Sequence, residues 1–487
     1  MDVNFRKFLL TTVAVLAIDV VAFEGGANAQ TAQPSTINQV LNGDGTLTVA
    51  GITVYGTIDA GLLYQSHGNP LQPFGSANDL ISRSNNKATT TFAPNQTSAS
   101  TLGIKGKESL AEMTDIPALQ GWAAIFDLQI GFNPLSGQLL DNPRGLILTN
   151  GVPLANQVAA ADGSRGGQIF NGEAYGGFKH DVYGQFTFGR QNTLLREQLF
   201  TYDPQALKFA FSALGFFGSI NGGMGNTEDA ILDSSFKYKN TIGPLHFGAQ
   251  YGVATAEQGG RAYDFNVGVD LPGALKGLSL DGYYGKKDSG ISAAGLSAAD
   301  CLALVGVSGN CIATNVLNAT VSNNEIYALM AKYGIGDATF SGGYVHTAFS
   351  NGASPLKSNT LLGGYAINTT TINYTNFTTD REQDVVFVGA RYAFTPKLSG
   401  AIAYYHIQQN AFISKGKACT TQTLGSNSIQ ANCSGEENVA SVSFDYQWTK
   451  RLALYAGIAY SQVDGGLAAG FLNKTNIDPT IGARLKF

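Results

Sequence analysis

In the stretch NVASVSFDYQW, apolar Ala440, Val442, Phe444, Tyr446 and Trp448 alternate with Ser441, Ser443, Asp445 and Gln447. That period of two puts neighbouring side chains on opposite faces of a β-strand. The pattern recurs in VVFVGARYAF, where Val386, Val388, Ala390, Tyr392 and Phe394 oppose Gly389 and Arg391. It recurs again in WAAIFDLQI, where Trp122, Ala124, Phe126, Leu128 and Ile130 oppose Asp127 and Gln129, and RLALYAGIAY and LHFGAQY behave likewise. A soluble sandwich with its apolar face inward gives the same alternation, so spacing and turn length must choose between core and lipid.

About sixteen such segments follow one another, each of roughly ten residues, the length a tilted transmembrane β-strand requires. Short connections (DIPALQ, HDVY, TIGP, LPGALKG, GIGD, TPK, TK) alternate with long ones at 66–97, 134–169, 192–230, 288–323, 350–380 and 411–436. The exception is 257–262, short where a long loop is due. Long external loops opposite short periplasmic turns predict an all-β fold, a transmembrane antiparallel up-and-down β-barrel over residues 51–487. Such a sheet must close, because an open edge in hydrocarbon leaves backbone groups unpaired. In the last segment Leu485 and Phe487 then face lipid, while Arg484 and Lys486 face the interior.

Composition agrees. Charged residues are 13% of the 487, against about 25% in an average soluble protein, while glycine reaches 60 residues and aromatics 10%. A net charge of -5 gives no basic excess of the kind nucleic-acid binding uses. Residues 1–29 read as a signal peptide: Arg6 and Lys7 precede the apolar FLLTTVAVLAI, and Ala27-Asn28-Ala29 offers a small-residue cleavage site. Asp19 interrupts the apolar run well short of the ~20 residues of a spanning helix. Residues 30–50 form a polar N-terminal periplasmic segment ahead of the barrel.

The phrases GITVYGTIDAGLLYQS, TLGIKGKESL with GWAAIFDLQIGFN, AYGGFKHDVYGQFTFGRQ and the closing GARLKF occur in order along nearly the whole mature chain. Together they resemble the general diffusion porins of Gram-negative outer membranes, the proteobacterial group above all. The resemblance implies a sixteen-stranded barrel in the outer membrane, a homotrimer, and passive passage of small hydrophilic solutes with no cofactor. It implies as partners the outer-membrane lipid and lipopolysaccharide, and the barrel-assembly machinery, for which Phe487 belongs to the recognition signal. It also implies a third loop, here 192–230, folded into the lumen as a constriction.

Parity assigns the wet face. Thr53, Tyr55, Thr57, Asp59, Lys105, Lys107, Asp127, Gln129, Lys237, Lys239, Asp281, Lys287, Arg391, Asp445, Arg484 and Lys486 point inward, with bases outnumbering acids. A charged ring in a narrow passage biases ion entry, so a mild anion preference is expected. The third loop offers Glu197, Asp203, Glu228 and Asp229 as an acidic side. Where many family members carry arginines on the facing wall, this chain has Thr101, Gly172 and Ile231. Either Lys105, Arg190 or Lys237 substitutes, or Phe209, Phe211, Phe216 and Phe217 shape a more selective aromatic eyelet, unless the apolar loop packs on the wall.

Cys301 with Cys311 and Cys419 with Cys433 each fall within one external loop, where an oxidising compartment favours local disulfides. Neither pair has the spacing or the neighbouring His of a metal site. No G-x-S-x-G or phosphate-loop motif is present, so no catalytic residue is assigned. A hydrolase barrel and a secreted adhesin remain as alternatives to the channel.

Overall fold

The computed structural model describes residues 47–49, 51–67, 88–137, 139, 169–214, 230–254, 260–289, 292–293, 319–320, 323–353, 379–413, 419, 433–466 and 474–487. Within the compact unit Asp44–Phe487 the strands form one closed antiparallel barrel. Its sixteen staves are β1 (Ile52–Gln65), β2 (Thr89–Pro94 continued by Ser100–Ser109), β3 (Trp122–Phe132), β4 (Ala174–His180), β5 (Gly184–Asn192), β6 (Ile231–Ile242), β7 (Leu245–Gly252), β8 (Ala262–Asp270), β9 (Leu278–Lys287), β10 (Asn323–Ile335), β11 (Ala338–Ser350), β12 (Arg381–Ala393), β13 (Leu398–Gln409), β14 (Gly435–Gln447), β15 (Leu452–Gly465) and β16 (Thr475–Lys486). Each pairs with its neighbours in sequence, and β1 pairs with β16 from Thr57↔Lys486 to Leu63↔Thr480, which closes the ring.

Two details differ from the sequence reading. A short strand, Leu47–Val49, folds back on β1, so the sheet begins upstream of residue 51. The first long loop ends early, because β2 starts at Thr89 and is interrupted at 95–99 rather than beginning after it. Asn95 enters that break with a φ of 54°, a left-handed conformation Asn tolerates.

The outer face is apolar, as alternation requires. Phe188, Phe236, Val267, Leu329, Val388, Ile402, Ile458 and Ile481 are all exposed. At the short-turn end, Tyr392, Phe394, Phe444, Tyr446 and Trp448 form an aromatic belt, with Phe394 packed edge-on to Tyr392 at 5.0 Å. Aromatic rings at the edges of an apolar band sit at lipid headgroup level in transmembrane barrels. Among the described residues no helix is long and apolar enough to cross a membrane.

The interior is not uniformly wet, and here the parity reading needs correcting. Ile326, Ala328 and Met330 on β10, Val345 on β11, Val385 and Phe387 on β12, Tyr405 and Ile407 on β13, Val439 on β14 and Val463 on β15 all point inward and are buried. One half of the barrel thus has a true hydrophobic core inside it. What fills that half is the chain after β5.

Candidate permeation pathway

Helix α1 (Leu194–Tyr202) leaves β5 into the barrel interior. Thr193 caps it, its hydroxyl accepting from the Arg196 N–H at 3.3 Å, and Glu197 lies in the first turn, where a negative charge suits the helix dipole. Leu194, Leu195, Leu199 and Tyr202 share one face and join the apolar side chains of β9–β11. Two carboxylates of the wall hold the helix at its ends. Asp264 accepts from the Leu194 N–H at 3.1 Å, and Asp281 accepts from Gln198 Nε2 at 2.8 Å and the Tyr202 hydroxyl at 2.6 Å. His246 Nε2 lies 2.7 Å from the same Asp281 carboxylate.

Residues 203–214 continue across the wall and are clasped to it. Asp203 accepts from the Tyr405 hydroxyl at 2.5 Å and from the Leu207 N–H at 2.6 Å. Arg391 donates to the carbonyls of Asp203 and, at 2.5 Å, of Pro204. Gln205 bonds Ser441 and Ser443 on β14, Lys208 pairs with Asp445, and Ser441 donates to the Phe211 carbonyl at 2.6 Å. The Phe211 ring lies where β15 carries Gly457, whose missing side chain makes the room: a Cβ there would sit 2.6 Å from the ring. Burial pushes the Asp203 carboxyl above its ordinary range despite these donors. It also lowers Lys208, against the pull of Asp445.

These contacts revise several sequence-level assignments. Phe209 and Phe211 are 4% and 0% exposed, so they belong to the packed interface and not to an open eyelet. Phe216, Phe217, Glu228 and Asp229 lie outside the described residues. Asp59 does point inward, but it is 0% exposed. Its carboxylate accepts from the N–H groups of Gln96, Thr97 and Ser98 at 3.2, 3.0 and 3.0 Å and from the Tyr455 hydroxyl at 2.6 Å, so it folds the break in β2. Arg190 is buried too, against Asp233 at 2.6 Å and the carbonyls of Asn171 and Gly172. Lys237 and Lys239 both grip Glu197, at 2.7 and 2.6 Å. Burial alone would raise Glu197, but the two ammoniums outweigh it and hold the carboxyl below its usual value. Arg484 reaches Thr97 at 3.2 Å and lies 3.8 Å from Asp445. Cys419 and Cys433 are joined, with Cα atoms 5.0 Å apart, whereas Cys301 and Cys311 lie outside the described residues.

Among the described residues, what stays open is the side of the lumen walled by β16 and β1–β4. Its exposed inward charges are Lys105, Lys107, Lys179 and Lys486. Among the described residues the inward acids on that wall are at least partly buried and bonded: Asp59 as above, Asp127 by the Tyr55 hydroxyl at 2.5 Å, Glu173 by the Asn192 N–H at 3.1 Å and Asp478 by Gln65 Nε2 at 3.2 Å, while exposed Glu108 falls on the outward parity of β2. Of the three cations considered as substitutes for the missing arginines, Lys105 alone is exposed. Opposite this wall, α1 presents Arg196, Phe200 and Thr201. A cavity of about 550 Å³ at the short-turn end is lined by Lys179, Glu197, Thr201, Lys239, Asp270 and Asp281. Lys179, Arg196 and Phe200 did not stand out in the sequence. Arg196 and Phe200 sit at i and i+4 in LLREQLFTY, a spacing that puts them on one helix face.

A closed barrel with an apolar belt outside and a partly filled, basic-walled lumen inside is an outer-membrane channel protein. A sequence profile described as Gram-negative porin matches residues 12–366, and the chain belongs to that family. No curated protein matches it. Among solved structures it is similar to an anion-selective porin from Comamonas acidovorans, with 15% identity, 90% of this chain and 99% of that chain covered and a TM-score of 0.54. It is also similar to OmpT, an outer membrane protein of Vibrio cholerae, at 14% identity, coverage of 91% and 100%, and a TM-score of 0.51. A trimer form of in vitro folded OmpT gives 13% identity, coverage of 90% and 99%, and a TM-score of 0.51. At these identities the likeness is one of fold.

Proposed function

We propose that this porin is a passive, water-filled channel for small hydrophilic solutes and ions with a preference for anions, and that it works as a homotrimer. The observation that carries the anion preference is the division of labour among inward charges. On the open wall the described inward acids are taken up in internal hydrogen bonds, while Lys105, Lys107, Lys179 and Lys486 are exposed. Cations lining a narrow aqueous passage raise the local anion concentration and exclude like charge. The similar barrel from Comamonas acidovorans is described as anion-selective, and a trimer form exists for the similar OmpT barrel. No step of bond chemistry is assigned to the lumen, and the solubilised protein is expected to show no esterase activity.

The test is the reversal potential of the refolded protein in a planar bilayer under a potassium chloride gradient. A potential displaced toward the chloride equilibrium value supports the reading, and displacement toward potassium overturns it. Crosslinking in detergent tests the trimer, which a monomer band alone would refute.

A further inference from the structure

The cavity of about 550 Å³ beside α1 presents both signs of charge to the lumen. Two of its lining residues stand at the ends of one row across three strands, because Asp270 on β8 pairs in register with Ser279 on β9, and Ser279 with Lys332 on β10. Two strand spacings, about 10 Å, separate the ends. The Asp270 side chain is 66% exposed, its Oδ1 accepting from the Ser279 hydroxyl at 2.5 Å and its Oδ2 lying 3.6 Å from His246 Nδ1. A carboxylate has about four acceptor sites, so room for a further donor remains. Lys332 meets no carboxylate among the described residues. Its ammonium lies 5.5 Å from the centroid of the Tyr202 ring, whose hydroxyl is fixed on Asp281 at 2.6 Å, and attraction to that ring face holds it off Asp270. On the helix side of the same cavity Gln198 is 6% exposed. Its Nε2 donates to Asp281 at 2.8 Å, while its buried Oε1 has no donor. Of the other lining charges, Lys239 is taken up by Glu197, and Lys179 and Asp181 add one exposed charge of each sign on the β4 side.

We propose that this cavity is a subsite for short zwitterionic peptides, the ammonium lying at Asp270 and the carboxylate at Lys332. This subsite deepens the channel reading and rests on it. Charge decides the class: an exposed carboxylate and an ammonium without a carboxylate partner, held apart on one wall, are complementary to a molecule that carries the opposite pair. Charge-assisted bonds at the two ends are stronger than neutral ones. Reach decides the length. An extended chain spans at most about 3.5 Å per residue, so a dipeptide of about 7 Å lies along the row with each terminus within side-chain reach, whereas a single amino acid leaves one terminus short. The ammonium or the peptide N–H supplies the donor that Gln198 Oε1 lacks, which relieves an unsatisfied buried group. A peptide with its amine capped meets Lys332 and sets an uncharged end against Asp270. One with its carboxylate capped meets Asp270 and leaves Lys332 on its ring.

The experiment is concentration-dependent block of single-channel current by alanylalanine, its N-acetyl derivative, its amide and the doubly capped neutral form, each current normalised to that variant's own unblocked current. Alanylalanine is expected to block at a concentration about 5-fold or more below each of the other three, the scale of one partly screened ion pair. A basic lumen enriches the N-acetyl anion, so the margin over that form is the strictest. Lys332→Gln should bring alanylalanine level with its amide, and Asp270→Asn should bring it level with its N-acetyl form. Equal block by alanylalanine and the N-acetyl form in the unaltered protein overturns the subsite, as does an advantage that survives both substitutions. Block by free alanine as strong as that by alanylalanine overturns the assignment of length. Binding of the same four peptides to the folded protein in detergent, read by saturation-transfer NMR, gives the preference without any current. Preferential binding with no ion current would strike the channel reading and leave the subsite standing, whereas current without the preference would strike the subsite alone.

Discussion

Phe487 and Gly56 exchange both of their backbone hydrogen bonds, Gly56 N–H to Phe487 O at 2.9 Å and Phe487 N–H to Gly56 O at 3.0 Å. They extend the β1–β16 seam one pair beyond Lys486. The Phe487 ring lies over Gly56, where a Cβ would meet the ring and come within 2.7 Å of the Thr101 carbonyl oxygen. A side chain at residue 56 therefore pushes either the ring or the backbone of β2. Deleting Phe487 removes two seam bonds as well as the ring, whereas Phe487→Ala removes the ring alone. We expect the fraction of heat-modifiable barrel recovered from outer membranes to fall in the order unaltered, Phe487→Ala, deletion, with Gly56→Val near the deletion. Equal recovery for substitution and deletion would show that the bonds are immaterial.

Glu197 neutralises two lysines at once. Glu197→Gln leaves Lys237 and Lys239 without their carboxylate and adds net positive charge to the lumen. The reversal potential should move further toward chloride. The same contact sets a pH dependence. Because the folded carboxyl sits below its ordinary value of 4.5, the stabilisation is fully present above that value and is lost as pH falls through the lower folded one. Current noise from a loosened helix is therefore expected to rise only in that acid window, and to be independent of pH there in Glu197→Gln.

Asp203 is the knot between the crossing segment and β13. Asp203→Ala strands the Tyr405 hydroxyl and the Leu207 N–H in a dry interior, a cost of about 1–3 kcal/mol for each unsatisfied group. Asp203→Asn keeps an acceptor and relieves the burial of a charge. The alanine variant should therefore unfold at lower denaturant concentration and the asparagine variant close to the unaltered protein. The reverse order would mean that the ionised carboxylate itself is required.

Lys105 and Asp59 separate position from role. Both point inward, but Lys105 is exposed and Asp59 is caged by the Gln96–Ser98 N–H groups and the Tyr455 hydroxyl. Lys105→Glu should lower the chloride-to-potassium permeability ratio severalfold with little change in assembly. Asp59→Ala should impair assembly and leave the ratio of the surviving channels unchanged. Bilayer selectivity and heat-modifiability, measured on both variants, check the pair.

Strand positions and facing were legible because alternation is local: Phe444 and Asp445 need only each other to declare opposite faces. Whether an inward residue meets water is not local. Lys237 and Arg190 read as pore charges until Glu197 and Asp233, distant in sequence, arrive beside them. Still, the filled half of the lumen left a trace. In VVFV both Val385 with Phe387 and Val386 with Val388 are apolar, and AIAYYHI repeats this with Ala403, Tyr405 and Ile407 behind Ile402 and Tyr404. A strand greasy on both faces needs a dry partner inside, and the apolar run ALKFAFSAL is that partner. The alternation was least clean where the crossing segment docks.

That docking changes what widening the pore would mean. The stripe formed by Met330, Val345, Phe387, Ile407 and Val439 stays dry only because the crossing segment lies on it. Excising the segment would not leave a broad aqueous bore. It would line one side of the tube with hydrocarbon, a surface from which confined water withdraws. The segment is thus a keel as much as a gate, and solute access is better enlarged by trimming Phe200 or Thr201 on its wet side than by removing what holds the other side together.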